Sequence, residues 1–285
     1  MKKKILTTLT AIILVILPFL AGISIGKYSP YIEANSFRTY VIIWAVVSIV
    51  LASTVLLLLK YFHQSFNKIV FAGIFLFLLL CPIFGIVGLV APPDLSIKML
   101  EHPEREHLRY SLLFIAAILY GTFFYLLLKG NSFKVKDSTR WIMAVFAILA
   151  FAEIIWEFTH HYSYPEGLKE WINQGKNADE FVKNYDNSTL ITIGVIGRYF
   201  QYLLIIWLSL LLYKLKQIKI WNPIINIILS LLGIVSATVI YVTQFNIPKG
   251  FEILLFFFIP GFPFLLLYWL GVALLTKFKK SEIGD

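Results

Sequence analysis

An all-α polytopic membrane protein is the fold class that the sequence predicts: a bundle of about eight transmembrane helices with both termini cytoplasmic. Three observations lead there: composition, the number of long apolar stretches, and the placement of the basic residues. Of 285 residues, 59% are hydrophobic and 14% charged, with a mean hydropathy of +0.80. Soluble domains carry roughly 25% charged residues, so a chain this apolar needs lipid against much of its surface. A single cysteine, Cys81, excludes an internal disulfide, and its apolar surroundings make it a small hydrophobe.

The apolar stretches near 5–25, 39–59, 69–91, 110–128, 141–161, 189–213, 221–245 and 252–276 are each long enough to cross a hydrocarbon core about 30 Å thick. All eight are read as helices, because a spanning segment has to satisfy its own backbone hydrogen bonds. On this layout Lys2 to Lys4, Lys60, Lys68, the "KGNSFKVKDSTR" loop, "YKLKQIK" and the tail "TKFKK" share one side. That side holds 15 Lys and Arg against nine opposite, which makes it cytoplasmic. The net charge of +9 is therefore topological information and attraction to anionic lipid, and it does not point to nucleic acid. "MKKK" before an apolar run also fits a signal peptide. The run through Gly26 is long for one and no small-x-small site follows, so the first span is read as a retained helix. The expected location is the cytoplasmic (inner) membrane, multi-pass.

Residues 92–109 and 162–188 form the two informative outer loops. In "PEGLKEWINQG", Leu168, Trp171 and Ile172 recur at i, i+3 and i+4 before a glycine stop. "NADEFVKNY" opens with Asn177 and Glu180 at capping-box spacing. These predict short outer-face interfacial helices, with Trp171 at the membrane interface. No repeat, low-complexity tract or soluble domain interrupts the chain, so residues 1–285 are one transmembrane domain.

The fifth span ends on "FAEIIWEFTHHY". At 100° per residue, Glu153, Glu157 and His160 share one stripe within about 60°, and His161 lies further round. An acidic residue at mid-helix in lipid costs about 2.5–3.5 kcal/mol, so the stripe should face other helices or a wet cavity. Arg198 enters the sixth span from the same side and at a similar depth. Gly194 and Gly197 beside it allow a close helix approach, and Gln201 and Tyr202 extend the polar side inward. Glu153 and Arg198 are expected to face each other. A purely structural ion pair fits this pattern, as does an anion anchor with Glu153 as its resting counter-ion.

Glu104 and His107 repeat the i, i+3 spacing of Glu157 and His160. Two Glu-x-x-His elements on different helices suit a bundle metal site, so a divalent metal (zinc or iron/manganese) is the cofactor these four residues would hold. The bland alternative for this stretch is a helix start, with Pro103 in the first turn and acids favoured by the dipole. His161, Tyr162 and Tyr164 also suit an aromatic interfacial belt. Thr238, Tyr241, Gln244 and Glu252 at the outer ends of the last two spans are expected to line the same vestibule. "PGFP" at 260–263 should kink or break the eighth span, as in transporters with interrupted helices. Phosphate loops, Ser/His/Asp arrangements and His-Glu-x-x-His are absent from the sequence.

The leading expectation is a membrane-embedded enzyme acting on a lipid-linked or amphiphilic substrate at an outward-facing pocket. Glu153, Glu157 and His160 would be catalytic, and Arg198, Gln201, Tyr202, Tyr241 and His161 would bind substrate. A small proton- or cation-coupled transporter and a non-catalytic membrane subunit or immunity-type protein are the alternatives. The expected partners are membrane lipids and the amphiphile.

Overall fold

The computed structural model describes residues 96–130, 135–185 and 188–276, together with isolated helical residues within 5–16 and 38–54. Every regular element among the described residues is helical. The third predicted span, with Cys81, lies outside the described residues, as do most of the first and about half of the second.

Four described helices are long and apolar enough to cross a membrane, against the eight spans expected from the whole sequence. They are α1 (Pro103–Gly130), α2 (Asp137–Tyr162), α5 (Ser188–Lys214) and α6 (Trp221–Thr243). Between α2 and α5 run two short helices, α3 (Tyr164–Asn173) and α4 (Phe181–Tyr185). The eighth span, expected to kink or break at 260–263, is two pieces, α7 (Ile253–Phe258) and α8 (Gly261–Thr276).

The local reasons are visible in the sequence. α1 begins at Pro103, seven residues before the expected start of that span, with Glu104 and Glu106 in its first turn. Proline lacks only an N–H that would be unsatisfied there, and the acids face the positive end of the helix dipole. The extra turns carry Arg105, Glu106 and Arg109 into buried positions, with Arg109 Nη1 donating to Glu106 Oε2 at 3.0 Å. α7 stops where the residue before Pro260 cannot stay helical: Ile259 has φ −54° and ψ 132°. Pro263 falls in the first turn of α8, where it is tolerated.

α5 is the hub, packing on α2 along one side and on α6 along the other, while α1 packs on α2 and α8 on α5. One apolar core joins them through Phe124, Ile154, Leu204, Leu208, Phe264 and Leu270, and it also takes in Leu14 and Val47. Tyr268 donates a hydrogen bond to the Leu14 carbonyl, which fixes the first helical segment against α8. Two glycines set the close approaches. A Cβ on Gly197 would overlap the Glu153 side chain, and one on Gly233 would overlap the Tyr202 ring. Thus α2 seats a glutamate against α5, and α5 seats a tyrosine against α6.

The segment between α2 and α5 folds onto a small core of its own, built from Met99, Tyr164, Leu168 and Phe181. Asn177 caps the following turn by accepting from the Asp179 N–H at 3.1 Å, and Gly175 at φ 74° ends α3. The Trp171 indole N–H donates to the Asn177 carbonyl at 2.9 Å, and its ring packs against this core with Lys176 4.1 Å over it. Tyr164 is buried there too, so it belongs to the loop core and not to an interfacial belt.

Candidate functional site: a buried Glu–Glu–Arg cluster beside a small cavity

Arg198 lies on the face of α5 that meets α2 and is 1% exposed. Its Nη1 donates to Glu153 Oε2 at 3.1 Å and to Gln201 Oε1 at 3.0 Å, and its Nη2 donates to Glu157 Oε2 at 2.5 Å. Gln201 closes the ring by donating from Nε2 to Glu153 Oε2 at 2.7 Å. The i, i+4 spacing of the two glutamates stacks both carboxylates on the one guanidinium.

The interrupted helix supplies the remaining acceptor. In an unbroken helix the carbonyls of Phe257 and Phe258 would accept from residues 261 and 262. Here the Phe262 N–H turns to the Ile259 carbonyl at 2.9 Å. Arg198 Nε takes the Phe258 carbonyl at 2.9 Å, and the Tyr202 hydroxyl donates to that of Phe257. The guanidinium also lies 5.6 Å from the Phe258 ring centroid. These backbone acceptors are the part of the site that side-chain patterns did not indicate, although Pro260 marks where a helix must release carbonyls.

Charge and hydrogen bonding leave one imbalance. Two carboxylates face one guanidinium, all three side chains are 12% exposed or less, and Glu153 Oε1 has no hydrogen-bond partner among the described residues. In a low-dielectric interior a net charge is costly, so the cluster has a place for one more positive charge.

On the Tyr162 side of Glu157 lies a cavity of about 90 Å³, lined by Glu157, His160, His161, Gly194 and Arg198. Trp156, Phe245 and Phe258 provide its aromatic walls. His160 is held between the Trp156 ring at 5.1 Å and the Tyr185 ring at 5.0 Å, with the edge of Tyr164 at 4.9 Å. His161 stacks on Tyr110 of α1 at 4.9 Å. Tyr110 and Tyr185 reach these histidines from distant parts of the chain, so no local spacing could have found them.

Other expected residues lie elsewhere. Glu104 hydrogen-bonds His102 at 3.0 Å, and His107 Nε2 sits 3.1 Å from Glu166 Oε1 while its ring stacks on Tyr162. Glu157 and His160 belong to the Arg198 cavity, so the four expected metal ligands are divided between two places. Among the described residues no group of three or more His, Cys, Asp or Glu side chains is arranged to hold a metal ion. Tyr241 is 47% exposed and outside the cavity lining, as are Thr238, Gln244 and Glu252. Thr238 instead meets the Tyr199 hydroxyl at 2.8 Å, and Glu252 accepts from the Gly250 N–H at 2.8 Å. The vestibule is thus walled by Phe245 and Phe258 where polar residues were expected. Tyr202 is buried beneath Arg198, out of contact with the cavity.

The chain matches no family model, no curated protein and no solved structure.

Proposed function

We propose that this integral membrane protein is a small proton-coupled transporter, and that Glu153, Glu157 and Arg198 form its proton site, loaded from the outer cavity through Glu157 and His161. The observation that carries this reading is the unbalanced cluster: two buried carboxylates on one guanidinium, with Glu153 Oε1 unpartnered among the described residues. A proton on Glu153 Oε1 restores neutrality and gives that oxygen a donor, with the Glu157 carboxylate one turn outward to receive it. Intramembrane chains of Glu and His commonly carry protons in transporters. The interrupted helix, whose released carbonyls hold Arg198 and Tyr202, adds support, since broken spans border sites of this kind.

An enzyme acting on an anionic, lipid-linked substrate would need Arg198 to present N–H groups to it. Instead four of its five N–H groups donate to protein acceptors, and the cavity volume of about 90 Å³ suits a few waters and falls below the ~300–1,000 Å³ of small-molecule sites. We place both termini on the cytoplasmic side and the cavity on the outer side from the basic-residue asymmetry.

The test needs no substrate. Protein reconstituted on a solid-supported membrane receives a step in pH, and the transient displacement current is recorded. Wild type should give a protein-dependent current that is lost in Glu153→Gln and reduced in His161→Ala. An equal current in Glu153→Gln, or none in wild type, would make the cluster a packing device.

A further inference from the structure

At the opposite end of α1 and α2 the two helices part to leave an apolar groove of about 620 Å³. Its size lies in the ~300–1,000 Å³ range of small-molecule sites. Gly121, Ala144 and Ala147 line it with little side-chain bulk. Phe151 closes the deep end: its ring lies 3.1 Å from where a Cβ on Gly121 would be. The lining runs from Ile118 to Lys129 on α1 and from Arg140 to Phe151 on α2. Each stretch covers eleven helical rises, about 16 Å, which matches one leaflet of a hydrocarbon core about 30 Å thick.

The mouth of the groove is chemically distinct from its length. Lys129 and Arg140 stand there beside Tyr125 and Trp141. The Tyr125 hydroxyl accepts from Lys129 Nζ at 2.9 Å and so holds the ammonium at the rim. Arg140 pairs with Asp137 at 3.4 Å, but that aspartate is 80% exposed, and an exposed pair of this kind is weak enough to share its guanidinium. Two cations and two amphipathic rings at one end of a leaflet-long apolar channel match the order of a phospholipid from headgroup to tail.

We propose that the α1–α2 groove holds one acyl chain of an anionic phospholipid from the Lys129 and Arg140 side, with its phosphate between those two cations. A second copy of the chain is a poorer occupant. A two-fold axis along the membrane normal would bring the same cations face to face.

The test compares phosphatidylglycerol with phosphatidylcholine. Purified protein is exchanged into nanodiscs of each lipid, released gently, and its retained lipid counted by native mass spectrometry. Wild type should retain phosphatidylglycerol preferentially. A basic side chain near an anionic lipid contributes about fivefold, so Lys129→Gln with Arg140→Gln should reduce the preference roughly 25-fold. Ala144→Leu, which fills the groove without touching its charges, should reduce retention of both lipids. A photocrosslinking residue at Ile148 should capture lipid. The proposal fails if the double variant keeps the wild-type preference, if Ala144→Leu retains both lipids unchanged, or if Ile148 crosslinks to this chain or a second copy in place of lipid.

Discussion

Arg198 is satisfied by acceptors from three separate helices, Glu153 and Glu157 on α2, Gln201 on α5 and the Phe258 carbonyl of α7. Removing it leaves two carboxylates buried without a counter-charge. Arg198→Met should therefore lower stability by about 3–5 kcal/mol, read as a fall in thermal midpoint in detergent. Replacing all three charged groups by apolar ones removes that penalty. The triple variant Glu153→Leu, Glu157→Leu, Arg198→Met should recover most of the stability while giving no displacement current. A triple variant as unstable as the single one would mean that the lost hydrogen bonds matter more than the uncompensated charge. The cluster was largely legible at this scale because a 3.6-residue period and the cost of charge in lipid fix which side chains share a face and where that face must turn. Glu153, Glu157 and Arg198 obey both rules. Tyr241 was placed only by its position at the end of a span, and it is exposed, since nothing expensive forces a tyrosine to be covered.

Among the elements, the division between α7 and α8 has the largest effect on the cluster. Pro260 was readable as a break, but the acceptors it releases belong to the backbone and carry no residue signature. Pro260→Ala offers a clean contrast. Relief of a proline in a continuous helix would stabilise by up to ~3 kcal/mol. If the released carbonyls matter, healing the helix takes acceptors from both Arg198 and Tyr202, each loss costing about 1–3 kcal/mol. Pro260→Ala should thus lower the thermal midpoint, and a clear rise would show that these two hydrogen bonds contribute little. The segment between α2 and α5 was partly legible for a similar reason. Local signals such as Asn177 and Gly175 mark turns, but the burial of Tyr164 depends on Met99 and Phe181 arriving from elsewhere.

For the whole molecule, the orientation we propose rests on charge asymmetry, whereas burial depends on which helices become neighbours, and hydropathy alone does not determine that. The orientation has a direct check. In a Cys81→Ser background, Lys176→Cys should react with a membrane-impermeant maleimide on intact cells, and Lys136→Cys only after permeabilisation. The opposite pattern would invert the protein, and labelling of both from outside would mean that α2 does not cross. The two glycine seats have a further consequence. Glu153 against Gly197 and Tyr202 against Gly233 interlock α2, α5 and α6, so none of the three can slide without withdrawing a side chain from its socket. Ile253–Phe258 is tied into the same assembly, since the Ser236 hydroxyl of α6 donates to the Leu254 carbonyl. Because the Phe258 and Phe257 carbonyls accept from Arg198 and Tyr202, any displacement of that short helix would strip both side chains of an acceptor together.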